Sequence, residues 1–68
     1  MNFNIEYEQE EDGRWLAEAV GLPGVLTYGS TLDEAMTKAE ILALKVLAEK
    51  LEQGEVSPEP LNISFVAA

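Results

Sequence analysis

The stretch Gly21-Leu-Pro-Gly-Val-Leu-Thr-Tyr-Gly-Ser-Thr-Leu-Asp-Glu-Ala35 decides how this chain folds. Pro23-Gly24 predicts a turn, and residues 25–28 that follow it are rich in strand formers. We expect Gly29 to permit the reversal of the backbone after that strand. The stretch therefore predicts a turn, a short strand and a helix start with almost no connecting residues between them.

The helix start lies at the end of this stretch. Thr31 followed by Glu34 has the spacing of a capping box, in which the threonine side chain accepts a hydrogen bond from the third helical N–H. Ser30 followed by Asp33 has the same spacing, so two residues compete as the N-cap. Either choice places the first helical residue within one position of the other.

An apolar-periodic run then extends from about Leu32 to Gln53, and Gly54 is placed to terminate it. Successive residues are about 100° apart around a helix, so the apolar side chains can be sorted by direction. Most of them share one broad face, which we expect to cover a sheet. This face consists of Leu32, Ala35, Met36, Ala39, Leu42, Ala43, Val46 and Leu47.

A second apolar stripe lies roughly opposite part of that face. It consists of Ile41, Leu44, Ala48 and Leu51, whose spacing is typical of a helix-packing seam. One sheet does not cover both sides of a helix, so this stripe needs another explanation. It is either an oligomer interface or incidental apolar surface. We favour the interface, because a small chain needs additional buried area.

Four segments have the pattern of strands. Residues 3–7 alternate apolar and polar side chains, and Asp12-Gly13 supplies the positive φ of a hairpin turn before a return strand at 14–20. The third strand is 25–28, and the fourth is 61–66, where apolar and polar residues alternate again. Strand, strand, strand, helix and strand thus follow one another in a single domain, residues 1–68.

This order predicts the topology. Two hairpin-type connections make strands one and three antiparallel to strand two. A right-handed helical crossover then returns the fourth strand, most simply beside strand one and parallel to it. We therefore expect an α+β fold, β-β-β-α-β, with one long helix on one face of a four-stranded mixed sheet.

The composition restricts the classes of function. The chain has 68 residues, no Cys, no His and a net charge of −9. A domain this small buries only about 60% of its unfolded surface, so we expect association with other chains to supplement its core. The acidity disfavours direct nucleic-acid binding and favours a basic protein partner, although it also serves solubility alone. Without a leader or a long apolar run, the chain is predicted to be cytoplasmic.

The central stretch belongs to a longer ordered set of motifs. It contains Leu22-Pro-Gly-Val25 and Thr27-x-Gly29-x-Thr31-x-x-Glu34-Ala35, and it follows the hairpin Asp12-Gly13-Arg14-Trp15. From roughly Phe3 to Pro60 the chain resembles the HicB-like antitoxin family. The resemblance implies a truncated ribonuclease-H-like fold and the capture of HicA, a small basic RNA-cleaving toxin. Many family members add a C-terminal DNA-binding domain that this sequence lacks, so we expect promoter binding only with the help of another protein.

A nuclease-like fold raises the question of catalysis. Two-metal hydrolysis needs several converging carboxylates, whereas the helix offers Glu34 and Glu40, strand one offers Glu6, and strand four offers none. Without His or Cys the chain also has no imidazole base, thiolate nucleophile or transition-metal ligand set. We therefore expect no enzymatic activity, no cofactor and no metal.

Acidic residues are concentrated in the first strand and its hairpin: Glu6, Glu8, Glu10, Glu11 and Asp12. One interpretation is a solvated edge protected by charge. The family resemblance implies another, in which this acidic surface covers the toxin's RNA-binding surface and speeds its capture. Trp15 and Tyr28 are candidate aromatic anchors of that interface, with Trp15 equally suited to the core.

Two functions therefore compete. The first is a HicB-like antitoxin that neutralises a HicA-like toxin and forms a homo-oligomer. The second is a stand-alone oligomeric interaction or regulatory module with no toxin and no catalysis. A metal-dependent nuclease remnant is a third, and it lacks the converging acids described above.

Overall fold

The computed structural model describes every residue from Met1 to Ala68. Its elements are β1 (Asn2–Gln9), β2 (Trp15–Ala19), β3 (Leu26–Gly29), α1 (Leu32–Glu52) and β4 (Asn62–Ala67). The strands form one sheet in the order β3-β2-β1-β4, with β1 antiparallel to β2 and parallel to β4. The predicted α+β fold is confirmed, including the place and direction of β4.

Two turns have the geometry that the sequence predicted. At the β1–β2 hairpin, Gly13 has φ +91°. Before β3, Gly24 has φ +88°, and the N–H of Val25 donates to the carbonyl of Leu22 at 3.2 Å. Proline followed by a glycine at positive φ is the pattern of a type II turn. The Pro23-Gly24 turn therefore directs the chain into β3.

Gly29 has a different role from the predicted one. It has no positive φ and is the buried last residue of β3. A Cβ atom at this position would lie 2.6 Å from the backbone nitrogen of Ala35. The prediction that Gly29 serves a backbone reversal is wrong; its missing side chain lets β3 approach the first turn of α1 closely.

Of the two candidate residues, Thr31 is the N-cap of α1. Its Oγ1 accepts a hydrogen bond from the N–H of Glu34 at 3.1 Å. Ser30 uses its hydroxyl differently and donates to the Glu34 carboxylate at 3.1 Å. The predicted start of the helix at Leu32 is confirmed.

The C-terminus of α1 is closed by Gly54, as predicted. Its N–H donates to the carbonyl of Leu51 at 3.1 Å, and the N–H of Glu55 donates to the carbonyl of Lys50 at 2.9 Å. These are the two hydrogen bonds of a Schellman motif, which satisfies carbonyls that the helix end leaves free. The helix therefore ends where the sequence placed its terminator.

The core between α1 and the sheet is small. Among the buried side chains only Ile5 and Val25 are both large and almost fully enclosed, and α1 contributes mainly alanines. Alanines bring the helix close to the sheet but bury little apolar area. The buried apolar side chains are Ile5, Ala17, Ala19, Leu22, Val25, Ala35, Ala39, Ala43 and Leu47. The other residues of the predicted core face, Leu32, Met36, Leu42 and Val46, are half-buried.

The helix covers the sheet unevenly. It packs on β3, β2 and β1 and leaves β4 largely uncovered. The opposite face of the sheet has no helix at all. Two surfaces of the sheet are therefore accessible: the whole face away from α1, and the flank of β4 on the helix side.

Candidate protein-binding surfaces

Alternate residues of the strands build the face of the sheet that α1 does not cover. Residues opposite each other on neighbouring strands point to the same side of a sheet. The register therefore brings together acidic and apolar side chains from all four strands on this side. They are Glu6, Glu8, Leu16, Glu18, Leu26, Tyr28 and Val66, and we call this set the open face.

The acidic residues at the centre of the open face are uncompensated. Glu6 and Glu18 lie directly opposite each other on β1 and β2, and neither carboxylate takes part in an ion pair. Like charges at opposed positions destabilise a sheet. Of the four cationic side chains, Lys38, Lys45 and Lys50 belong to α1, on the other side of the sheet, and Arg14 is paired with Asp12. The open face is therefore a region of negative potential.

Exposed apolar side chains flank this acidic centre. Leu26 and Tyr28 border it on β3, and Val66 borders it on β4; all three are exposed. Protein interfaces combine apolar area, which drives association, with charges that orient the partner. The open face has both components within one sheet.

The other predicted acidic residues lie in the β1–β2 hairpin: Glu10, Glu11 and Asp12. Asp12 is already paired within the chain, because the backbone N–H of Arg14 donates to its carboxylate at 3.0 Å and the Arg14 guanidinium donates at 2.8 Å. These hydrogen bonds hold the pKa of Asp12 below its ordinary value. Glu10 and Glu11 make no ion pair and extend the negative surface beyond the sheet.

The structure separates the two candidate aromatic anchors. Tyr28 is exposed on the open face, with the Arg14 guanidinium 4.9 Å from the centre of its ring. Trp15 pairs with Gln9 on the helix side of the sheet and is half-buried against the core. Its ring lies 6.4 Å from that of Tyr7. Tyr28 therefore accompanies the acidic residues, and Trp15 does not.

The predicted stripe on α1 faces away from the sheet. Ile41, Leu44, Ala48 and Leu51 are all exposed, and the predicted position of the stripe is confirmed. Its use as an oligomer interface stays a prediction.

Sequence reasoning missed Glu18, Leu26 and Val66 as members of the open face. In the second strand, apolar residues occur at both odd and even positions. The alternation therefore did not show which face of this strand is exposed to solvent. A signal was present, however: Glu18 is the one charged residue between Trp15 and Ala19. Its position opposite Glu6 follows from the register of β1 and β2, which the sequence did not specify.

The other features of the surface add little chemistry. The largest depression, about 310 Å³, is open to solvent and lined by residues 18–24, among which Glu18 is the ionisable one. No group of three or more Asp or Glu side chains is arranged to hold a metal ion. α1 is not apolar enough to cross a membrane. The surfaces described above are therefore the basis for assigning a function.

No protein-family model, curated protein or solved structure matches this chain.

Proposed function

We propose that this chain is a HicB-like antitoxin that binds a small basic RNA-cleaving toxin of the HicA kind. In this proposal the open face covers the cationic surface with which the toxin binds RNA. The antitoxin acts in the cytoplasm, without catalysis, cofactor or metal, and does not bind nucleic acid itself. The observation that carries the proposal is the uncompensated pair of Glu6 and Glu18 on the open face.

The physical argument concerns what a partner does to this pair. Two opposed carboxylates raise the free energy of the free chain. A cationic partner converts that repulsion into attraction, and its long-range field also speeds association. Leu26 and Tyr28, exposed on β3 beside the pair, supply apolar area next to the acidic centre of the interface. The RNA-binding surface of a basic toxin has the complementary charge.

The test is an RNA-cleavage assay in which the chain is titrated against a HicA-like toxin. We expect stoichiometric inhibition by the natural chain. The double substitution Glu6→Gln with Glu18→Gln should weaken inhibition roughly tenfold and reduce its dependence on salt. The same double substitution should raise the urea midpoint of the free chain, because it removes the repulsion. A gain in stability together with a loss of binding identifies an interface rather than a folding defect.

A matched control makes the same change of net charge on α1. Glu40 and Glu52 form no ion pairs, and Glu40→Gln with Glu52→Gln should leave inhibition unchanged. If this control loses as much inhibition, net charge rather than the open face is responsible. Unaltered RNA cleavage at an excess of the natural chain would exclude the antitoxin function for the toxin tested.

The second candidate function is a stand-alone oligomeric interaction module. The exposure of the α1 stripe favours it, because Leu44 and Leu51 gain burial only from another chain. If the α1 stripe joins two chains, Leu44→Glu with Leu51→Glu should lower the sedimenting mass, whereas Lys45→Glu, outside the stripe, should not. Assembly by the natural chain without any effect on RNA cleavage would favour this second function. An unchanged mass for the double substitution would exclude the stripe as the interface.

A further inference from the structure

β4 is an edge strand whose outer backbone groups have no partner within the chain. On its inner side it bonds to β1; for example, the N–H of Asn62 donates to the carbonyl of Met1 at 2.8 Å. Backbone groups point alternately to the two sides of a strand. The even-numbered residues therefore face β1, and the N–H and C=O groups that point outward belong to Ile63, Phe65 and Ala67.

This edge has none of the features that protect edge strands. Such strands are usually blunted by charged side chains, by proline, by shortness or by a covering element. Residues 61–68 contain no charged side chain and no proline, and α1 leaves β4 largely uncovered. An unprotected edge of this kind is a template for pairing with another strand.

The charge of the chain indicates which strand pairs with it. The net charge is −9, so most contacts between two copies would bring acidic surfaces together. The uncharged β4 edge avoids this repulsion. It is also self-complementary, because one antiparallel register gives every outward residue a partner. In this register Phe65 faces Phe65 of the second copy, and Ile63 faces Ala67.

We infer that two copies of this chain associate through β4 in this register, about a two-fold axis at Phe65, and form one continuous sheet. Such a contact is isologous, as in most homodimers. Each pair of outward residues exchanges both of its N–H···O bonds. The inference is independent of the proposed antitoxin function.

The side chains at the axis support this arrangement. Phe65 is opposite Ile5 on the helix side of the sheet, yet it is 40% exposed because α1 does not reach it. Residues of a hydrogen-bonded antiparallel pair have Cα atoms about 5.5 Å apart, so the two Phe65 rings lie side by side and exclude water from each other. The new area adds to a core that has few large side chains. Both open faces and both α1 stripes stay accessible.

Sedimentation velocity of matched variants tests the inference. The natural chain should sediment as a dimer. Phe65→Lys should halve the sedimenting mass, because it places two ammonium groups opposite each other at the axis. Val66→Lys is the control: Val66 is the next residue, is 41% exposed and points to the open face, where this register places it opposite Ser64 of the second copy and not opposite another Val66. It should remain a dimer, and circular dichroism should show that both variants are folded.

Two further measurements identify the contact itself. Phe65→Glu should also be monomeric, and mixing it with Phe65→Lys should restore the dimer, because opposite charges then meet at the axis. In the natural chain the outward amides of β4 should be protected from hydrogen exchange, and Phe65→Lys should abolish that protection while the even-numbered amides stay protected. A monomeric natural chain, a dimer with fast-exchanging outward amides, or dissociation by Val66→Lys would overturn the inference.

Discussion

The two edges of the sheet are built in opposite ways. β3 is short, follows the turn at Pro23, and lies under α1. One of its outward carbonyls, that of Tyr28, accepts a hydrogen bond from the Nζ atom of Lys38 at 3.2 Å. β4 is longer, carries no charge and is largely uncovered. One edge is protected by the chain itself, and the other is not.

From this difference we expect the two sides of the sheet to contribute differently to stability. The half with β2, β3 and α1 is made from neighbouring segments and is held by close contacts, such as that of Gly29 with α1. β4 follows α1 in the chain and is hydrogen-bonded to β1 alone, with Ile63 packed against the edge of the core. We therefore expect substitutions on the β3 side to affect folding and those on the β4 side to affect association.

The largest effect should come from Ile5→Ala. Ile5 is fully buried, whereas its partner across β1 and β4, Phe65, is exposed. Truncating Ile5 should lower the free energy of unfolding by about 3 kcal/mol, and Phe65→Ala by about 1 kcal/mol. Urea unfolding, at a concentration where both chains are monomeric, measures the difference. Equal losses would mean that the β4 side contributes as much to the core as the covered side.

Gly29→Ala should be the next most damaging substitution. Its Cβ atom would overlap the backbone of α1, and such overpacking costs about 2 kcal/mol. Gly24→Ala is the control: it has free space but positive φ, and should cost about 1 kcal/mol. Thermal unfolding ranks the two. A smaller loss for Gly29→Ala would show that β3 and α1 can separate at little cost.

Removing the helix cap should have a moderate effect. Thr31→Ala deprives the N–H of Glu34 of its acceptor and should lower stability by about 1 kcal/mol. Ser30→Ala, at the adjacent position, should cost less, since Ser30 bonds only a side chain. If the two substitutions prove equal in urea unfolding, both hydroxyls serve the cap.

The smallest effect should be electrostatic and depend on pH. Hydrogen bonds from Lys38 and Ser30 hold the pKa of Glu34 below its ordinary value of 4.5. A lowered pKa in the folded state stabilises the fold above the ordinary pKa, and this contribution is lost as the pH falls through the lowered value. Glu34→Gln should therefore lower the urea midpoint slightly at neutral pH, and the difference should disappear in acid. Because these groups are exposed, a large difference would contradict the expected screening by solvent.

Much of the fold could be predicted because its signals are local. Capping spacing, the Pro23-Gly24 turn and the alternation of the first strand each depend on residues a few positions apart. The candidate site was only partly predictable. Glu6 and Glu8 were recognised from their own strand, whereas Glu18 required the register of a second strand. Trp15 and Tyr28 were both candidate anchors, with Trp15 equally suited to the core, and only pairing placed them on opposite sides of the sheet.

The order of the elements and their approximate ends could be predicted, since both depend on side chains close together along the backbone, and the acidity follows from composition. The close packing of Gly29, the meeting of Glu6 with Glu18 and the exposure of β4 became evident only in three dimensions. These features depend on strand register and on the position of α1 over the sheet. Both are set by contacts between residues far apart in the chain.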